Sequence, residues 1–406
     1  MAEVSLERRS IVYVSTVHGL LHVLELAYGV VLVAVAADLG ASLFALGVIA
    51  NIFGLAYGLT SIPVGVLADR VSETRLLAFC AVGMGVAAVG VSLAPGVISL
   101  SVAIGVLGVA LGLFHPVASA FIARTASRTG LGFAYLGTGG NLGLALGPIM
   151  VGAIAAGVSW RLAYAVFAIP CVVLGLLILR LPRKIRPVAT PVAASGTTPE
   201  DRSFAALKPV AFPLAMILIA AVINGLVYRG VVTFLPAHLS SSLGSGFAGV
   251  DPVMLAGSFT TVALLFGVFG QFTGGYLSDK WRREGLALIS LAVGSPALFG
   301  AWGLTGIHVL ASAAMWSFFQ FLSQPVFNAL IAEYTPDFWR GRMYGLYFFC
   351  AFGVGSFSAS GLGYVAETGG IRQVFLVCAI LGLIAACFLV ALLVQAMRKG
   401  PRTAAR

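Results

Sequence analysis

Apolar stretches long enough to cross a lipid bilayer recur along almost the whole chain, and no other feature limits its fold so strongly. A helix needs about 20 apolar residues to span the hydrocarbon core, where its backbone polar groups must bond to one another. Charged residues make up only 9% of the 406 residues, against about 25% in a typical soluble chain. The sequence therefore predicts an all-α integral membrane protein. Twelve transmembrane helices are predicted at 11–37, 42–68, 76–94, 97–123, 131–157, 161–180, 208–238, 253–278, 285–305, 307–332, 343–367 and 371–397.

Basic residues fall almost entirely on one side of these spans. With both termini on the cytoplasmic side, only Arg161 and Arg372 of the 24 Lys and Arg residues lie on the opposite side, and Arg229 lies within a span. This bias is the positive-inside signal. It predicts a multi-pass protein of the plasma (inner) membrane with cytoplasmic N- and C-termini. The net charge of +10 then reflects topology, and no nucleic-acid partner is expected.

One polar segment interrupts the series of spans. Residues 181–207 are rich in Pro, Thr and charge, a composition typical of a linker without a packed core. We therefore expect an N-terminal six-helix half at 1–180, a cytoplasmic linker at 181–207 and a C-terminal six-helix half at 208–406.

The two halves resemble each other in sequence at a nearly constant spacing. "PVGVLADR" (63–70) matches "TGGYLSDK" (273–280), and Pro116 of "HPVASAFIA" matches Pro325 of "QPVFNALIA". Duplicated six-helix halves with a binding site between them are typical of secondary transporters that work by alternating access. The two prolines also predict a bend at the same depth in both halves.

The repeated loops resemble the signature loop of the major facilitator superfamily, and the resemblance extends over the whole chain. It implies twelve helices in two pseudo-symmetric halves, with loop ion pairs that hold the inward face shut. The first loop continues as "VSETR", without the glycine and basic cluster usual in the family. The resemblance assigns this conformational latch to Gly65, Asp69, Arg70, Gly275, Asp279 and Lys280.

The stretch "GGNLGLALGPIMVG" (139–152) is a second motif. Gly139, Gly143 and Gly147 recur every four residues, so they share one helix face and allow a neighbouring helix to approach closely; Pro148 bends that helix. The stretch resembles the fifth-helix motif of proton-coupled exporters in this superfamily. Together with "LFHP" in the fourth span, it looks like the fosmidomycin-resistance-type branch, whose members are mostly assigned as drug efflux proteins.

Titratable residues inside the spans are functional candidates, because a charge in hydrocarbon is costly. His18, His22 and Glu25 stand at i, i+4 and i+7, on one helix face. Imidazoles titrate near neutral pH, so this face is predicted to exchange protons. The alternative is that the two histidines only hydrogen-bond to neighbouring helices.

Arg229 is the basic residue predicted deep within a span, in the seventh helix together with Asn224 and Tyr228. One hypothesis is an ion pair with Glu25 that proton or substrate binding breaks. The competing hypothesis is an anion site, in which Arg229 holds a carboxylate or phosphonate through two hydrogen bonds.

Further polar residues complete the predicted substrate and proton pathway. For His115, a role in protonation and a structural role stay open. The others are predicted to line the path as uncharged hydrogen-bonding groups: Asn141, Gln320, Gln324 and Asn328.

These observations favour a transporter over an enzyme. The phosphate-binding pattern of an ATP-driven pump is missing from the sequence, and neither a cofactor nor a metal site is predicted. We expect a monomeric, proton-driven antiporter that exports a small organic or drug-like compound, as in multidrug resistance. The alternatives are an importer or exchanger of a small organic anion bound through Arg229, a divalent-metal exporter and a membrane sensor without transport. The metal alternative ranks low, because His18, His22 and Glu25 all come from one helix.

Overall fold

The fold is built from helices that match the predicted spans. The computed structural model describes residues 2–68, 71–126, 129–181, 203–247, 249–278, 280–336 and 339–398. Within these ranges the α-helices are α1 (Ala2–Leu39), α2 (Leu43–Ala68), α3 (Glu73–Ser92), α4 (Val97–Gly112), α5 (Phe114–Thr125), α6 (Thr129–Gly157), α7 (Trp160–Leu179), α8 (Ala211–Leu243), α9 (Pro252–Ser278), α10 (Arg283–Gly303), α11 (Ile307–Tyr334), α12 (Arg340–Phe348), α13 (Phe357–Gly369) and α14 (Arg372–Arg398).

Each predicted span corresponds to one helix or to two consecutive helices, so the prediction of a twelve-span all-α membrane protein is confirmed. Eleven stretches of the described residues are long and apolar enough to cross a membrane by length and composition. The twelfth predicted span is α11, which is 28 residues long. Gln320, Gln324 and Asn328 make α11 less apolar than the other spans.

Two crossings consist of two helices each. In the fourth crossing, α4 ends at Gly112 and α5 begins at Phe114. In the eleventh crossing, α12 and α13 are joined by a π-helical turn at Phe349–Gly353 and a 3-10 turn at Val354–Ser356. The predicted spans 97–123 and 343–367 are therefore interrupted helices.

The chemistry of Pro116 accounts for the first interruption. Proline has no N–H, so the carbonyl four residues earlier, at Gly112, loses its helical donor. The Ser61 hydroxyl of α2 lies 3.3 Å from that carbonyl and shares its one hydrogen with the Tyr57 carbonyl of its own helix, 3.1 Å away. The matching Pro325 lies inside the continuous helix α11, so a helix break accompanies the proline only in the first half.

Helices α1–α7 form the first group of six crossings and α8–α14 the second. In the first group α1 packs against α6 and α3 against α7; in the second, α9 packs against α11 and α10 against α14. Of the predicted linker, residues 182–202 lie outside the described part of the chain. A 3-10 helix at Phe204–Val210 leads into α8.

The repeat is visible in matching arginines at the ends of helices. Arg161, at the start of α7, donates to the Ala94 carbonyl after α3 at 3.0 Å and forms an ion pair with Asp38. Arg372, at the start of α14, donates to the Leu304 carbonyl after α10 at 3.2 Å. We call the side of the molecule with these arginines the distal face, and the side where α1 begins and α14 ends the terminal face.

Contacts between the two groups of helices are made by glycines against the opposing main chain, many of them toward the distal face. Gly47 of α2 lies against the Ala359 carbonyl of α13, and Gly257 of α9 lies against the Pro148 carbonyl of α6. Near the distal end of the interface, the Phe44 N–H donates to the Glu367 carboxylate at 3.0 Å. The two groups are therefore in close contact on the distal side.

Candidate functional site

A chain of polar side chains crosses the interior from α6 through α1. His18 Nδ1 lies 2.8 Å from the Leu136 carbonyl oxygen of α6. His18 Nε2 lies 3.2 Å from His22 Nε2, and His22 Nδ1 lies 2.9 Å from Glu25 Oε2. The predicted helix face is thus a connected set of hydrogen-bonding groups.

Arg229 of α8 continues this chain into the second group of helices. Its Nη2 lies 3.2 Å from Glu25 Oε1, and only 5% of the Arg229 side chain and 3% of the Glu25 side chain are exposed. The guanidinium also lies over the rings of Phe53 and Phe352, at 5.1 Å and 5.6 Å from their centroids. We call His18, His22, Glu25 and Arg229 the His–Glu–Arg chain.

The number of protons in the His–Glu–Arg chain follows from its hydrogen bonds. Each of the three contacts that begin at the Leu136 carbonyl and end at Glu25 needs one hydrogen, and a carbonyl or carboxylate can only accept. Two neutral imidazoles supply two hydrogens. The third is an additional proton, placed on Glu25 or on one imidazole. All three contacts can therefore be hydrogen bonds at once only when the chain carries one proton more than two neutral histidines and a carboxylate.

Several polar atoms of this site have no hydrogen-bond partner in the described part of the chain. They are Glu25 Oε1 and the Nε and Nη2 atoms of Arg229. Nε and Nη2 form the guanidinium edge that holds an oxyanion through two parallel hydrogen bonds. A small cavity between α1 and α8 is lined by Glu25, Arg229, Phe53 and Thr233, among others. The Glu25–Arg229 contact is an ion pair that leaves hydrogen-bonding capacity facing this cavity.

His115 joins the site through ring contacts. Its ring centroid lies 5.0 Å from that of His18 in an edge-on arrangement, 5.9 Å from that of His22 and 6.4 Å from that of Tyr57. The carbonyl freed by Pro116 is bonded by Ser61. The break in the fourth crossing thus places a histidine of α5 beside the two histidines of α1.

Helix α6 approaches α1 through the predicted glycine face. Gly139 lies against the Ser15 carbonyl, Gly143 against the Gly19 carbonyl and Gly147 against Val23. Pro148 lies within α6, which is assigned as one continuous helix. A Cβ atom at Gly140 would collide with the His18 ring, so this glycine leaves room for the imidazole.

The remaining predicted pathway residues lie on three helices. Asn141 is partly buried on α6. On α8, Tyr228 is buried with its ring edge-on to Phe321 at 6.1 Å. Asn224 of α8 and Asn328 of α11 each bury a side-chain oxygen without a partner among the described residues. Gln320 is buried and Gln324 partly buried on α11, which packs against α8, α9 and α10.

The predicted latch is described only in part. Asp69, Arg70 and Asp279 lie outside the described residues. Gly65 belongs to α2 and Gly275 to α9. The Lys280 ammonium bonds to the Tyr276 hydroxyl and lies 4.1 Å from the centroid of the same ring.

Some groups of the site were not found from the sequence. The double glycine of "GGNLG" is a signal that could have pointed to Gly140. Phe53 and Phe352 resemble the many other apolar aromatics, and the Leu136 carbonyl carries no sequence signal. Ser61 acquires its role only through contact with another helix.

Comparison with known proteins decides the family. The family model described as Major Facilitator Superfamily matches residues 15–360. The chain belongs to the major facilitator superfamily. At the level of the family, this agrees with the prediction of a transporter rather than an enzyme.

Two curated relatives match this major facilitator protein over part of its length. The fosmidomycin resistance protein of Escherichia coli is 27% identical over 292 residues, which are 67% of this chain and 65% of that protein. The MFS transporter asaE of Aspergillus flavus is 24% identical over 271 residues, 64% of this chain and 55% of that protein. The matched region thus covers less than two thirds of the length of either relative.

A solved structure shows the same fold. A bacterial homologue of the human lysosomal transporter Spinster, in an inward-facing and unoccupied conformation, superposes with a TM-score of 0.79 at 15% identity. The superposition covers 95% of this chain and 97% of that chain. At this identity the likeness concerns the fold alone.

Proposed function

We propose that this transporter is a proton-coupled exporter of a small organic, drug-like compound that works by alternating access as a monomer. The observation that carries the proposal is the buried Glu25–Arg229 ion pair, which joins α1 of the first half to α8 of the second. An ion pair that exists in only one conformation biases a two-state equilibrium. The similarity to the fosmidomycin resistance protein supports efflux as the direction.

In this mechanism the proton acts on the contact between the halves. A proton on Glu25 cancels the charge that holds Arg229, and His22, 2.9 Å from Glu25, passes the proton along α1. The halves then separate at one face and close at the other. Deprotonation on the opposite side restores the pair, so inward proton movement drives outward movement of the substrate.

The orientation follows from the positive-inside bias. We place the terminal face and both termini in the cytoplasm of a cell with this protein in its plasma (inner) membrane. The distal face, where the halves are in contact through Gly47 and Gly257, is then extracytoplasmic. In the proposed cycle, Asp69, Arg70, Asp279 and Lys280 latch the cytoplasmic face when the distal face opens, with Gly65 and Gly275 beside them.

The test is proton-coupled flux in proteoliposomes with an imposed pH gradient and a panel of amphipathic compounds, fosmidomycin included. We expect the gradient to drive transport and the substrate to release protons, and Glu25→Gln to abolish both. Glu284→Gln is the matched control, because Glu284 is equally buried, at 2% exposure, but lies at the start of α10. Substrate flux without proton movement at any pH gradient would rule out proton coupling.

A second candidate function is favoured by one observation: among the described residues, Arg229 Nε and Nη2 make no hydrogen bond, although Nη2 is paired by charge with Glu25. A small organic anion would occupy this edge in place of Glu25. Because the anion and Glu25 compete for one guanidinium, a proton on Glu25 promotes anion binding, and the two ligands then travel in the same direction. Arg229→Lys should largely preserve a simple ion pair but damage a two-point anion site. Equal loss of transport with Lys and with Gln excludes the simple pair.

A further inference from the structure

We propose that His18, His22 and His115 form a binding site for a divalent transition-metal ion that prefers imidazole ligands, such as Zn²⁺ or Co²⁺. The proposal goes beyond the transport function and does not depend on it. One ring nitrogen from each histidine lies within 4.8 Å of the other two. Sequence reasoning had only His18 and His22 of one helix to offer as imidazole ligands, whereas the structure adds His115 from α5.

The two histidines of α1 direct the same nitrogen toward one point. Both Nδ1 atoms are engaged by acceptors, the Leu136 carbonyl at 2.8 Å and the Glu25 carboxylate at 2.9 Å. When both imidazoles are neutral and donate from Nδ1, without the additional proton described above, each keeps a lone pair on Nε2. The two Nε2 atoms face each other at 3.2 Å. A cation between them satisfies both lone pairs.

The separation of the two Nε2 atoms suits a tetrahedral ion. Zn–N bonds in proteins are about 2.0–2.1 Å long. An ion bonded to two nitrogens that are 3.2 Å apart has an N–Zn–N angle of about 100°, close to the tetrahedral value. The two α1 ligands therefore need little movement. His115 offers a nitrogen within 4.8 Å of the other two and moves inward to complete the third side, and the fourth position remains for water, as in open zinc sites.

The surroundings of the cluster match those of known metal-binding histidines. Such histidines usually donate their second ring N–H to a backbone carbonyl or a carboxylate, which fixes the ring orientation. Leu136 and Glu25 provide one of each. Gly140 provides space for the His18 ring. The His22 side chain is 16% exposed, which gives an ion a route to the cluster.

The experiment is a Co²⁺ titration of the purified, metal-free full chain without a histidine tag. We expect visible d–d absorption with the intensity typical of tetrahedral Co²⁺. Zn²⁺ should displace Co²⁺ and abolish this absorption. His18→Ala, His22→Ala and His115→Ala should each remove it. The matched control His308→Ala, a change at an exposed residue, should leave it unchanged. Glu25→Gln should weaken Co²⁺ binding by about 10–100-fold, the usual cost of losing an outer-shell partner.

A thermal-shift measurement keeps the test independent of folding defects. Because an ion that binds only the folded state stabilises it, Zn²⁺ should raise the melting temperature of the wild-type chain and not that of His115→Gln. The proposal is overturned by the absence of tetrahedral absorption, by a spectrum that His115→Ala leaves unchanged, or by thiolate charge-transfer bands that assign the ion to a cysteine. None of these outcomes bears on proton-coupled flux, so they leave the proposed function untouched.

Discussion

At the scale of single residues, the two oxygens of Glu25 have different partners. Oε2 lies 2.9 Å from His22 on the same helix, whereas Oε1 lies 3.2 Å from Arg229 in the other half. One carboxylate therefore connects a titratable histidine to a contact between the halves. The charge on Glu25 therefore affects both the protonation of the α1 histidines and the contact between α1 and α8.

Removing one partner of this buried pair should cost more than removing both. Arg229→Gln leaves the buried Glu25 carboxylate with His22 as its remaining partner, and we expect a loss of about 3–5 kcal/mol of stability. The double variant Glu25→Gln/Arg229→Gln should recover part of that loss. Denaturation of the wild type, the two single variants and the double variant gives the free energies of unfolding for this double-mutant cycle. Asp38→Asn is the control, because its pair with Arg161 is exposed and worth about 0–1 kcal/mol. Strictly additive losses would contradict a coupled pair.

The histidines should differ in their effect on transport. His22 lies between His18 and Glu25 in the His–Glu–Arg chain, so His22→Gln should strongly reduce proton-coupled flux. His115 touches the rings of His18 and His22, so His115→Gln should fold normally and keep flux with an altered pH profile. Flux measured across a pH series decides this. If His115→Gln loses as much proton-coupled flux as His22→Gln, then His115 belongs to the proton path itself.

At the scale of elements, glycines set the distance between α1 and α6. Gly143 lies against the main chain of Gly19, whereas a Cβ atom at Gly137, on the same helix, would meet nothing within 4 Å. Closely packed small residues are how helices associate in lipid, where no hydrophobic force drives them together. The α1–α6 contact therefore depends on particular glycines and not on the glycine content of α6.

These two glycines form a matched pair for mutation. Gly143→Ala overpacks the contact with α1 and should destabilise the protein by about 1–3 kcal/mol. Gly137→Ala adds a methyl group in open space and should stabilise α6 by about 0.5–1 kcal/mol. Thermal unfolding in detergent compares the variants. Equal effects at the two positions would show that α1 and α6 are not held at this distance.

The break before α5 depends on a hydrogen bond from another helix. Ser61→Ala removes this donor, which the Gly112 carbonyl shares with the Tyr57 carbonyl, and we expect a loss of about 0.5–1.5 kcal/mol. Pro116→Ala restores a backbone N–H that can bond to the same carbonyl, so Ser61→Ala should cost much less in that background. The free energies of unfolding of the wild type, the two single variants and the double variant complete this double-mutant cycle. An unchanged cost of Ser61→Ala would contradict this account of the break.

Sequence reasoning predicted most of these elements and only part of the site. Apolar length identified each crossing, and helical periodicity placed His18, His22 and Glu25 on one face, because both signals are local. The Arg229 pairing was one of two hypotheses, since the repeat aligned α1 with α8. The position of His115 beside His18 was not predicted, because it depends on how α5 packs after the break at Leu113. The turn at Phe349–Gly353 likewise has no clear local signal.

At the scale of the whole molecule, the contact on the distal side should open during transport. The Phe44 N–H of α2 donates to the Glu367 carboxylate of α13 at 3.0 Å, so these two positions are close enough for a short cross-link between the halves. In a background without other cysteines, a short bis-methanethiosulfonate reagent that links Phe44→Cys to Glu367→Cys should stop transport until a reductant is added. Each single cysteine variant is a control. Continued transport by the cross-linked protein would contradict alternating access through this contact.

The glycine contacts between the halves also affect how fast such a cycle can run. At Gly47 and Gly257 the surfaces that meet are main chain on main chain, with few side-chain rotamers to order when they close. Separation there needs little side-chain repacking, so these contacts contribute little to the activation barrier of the conformational change. The slow step of the cycle then belongs to the charged groups that join the halves, above all the Glu25–Arg229 pair.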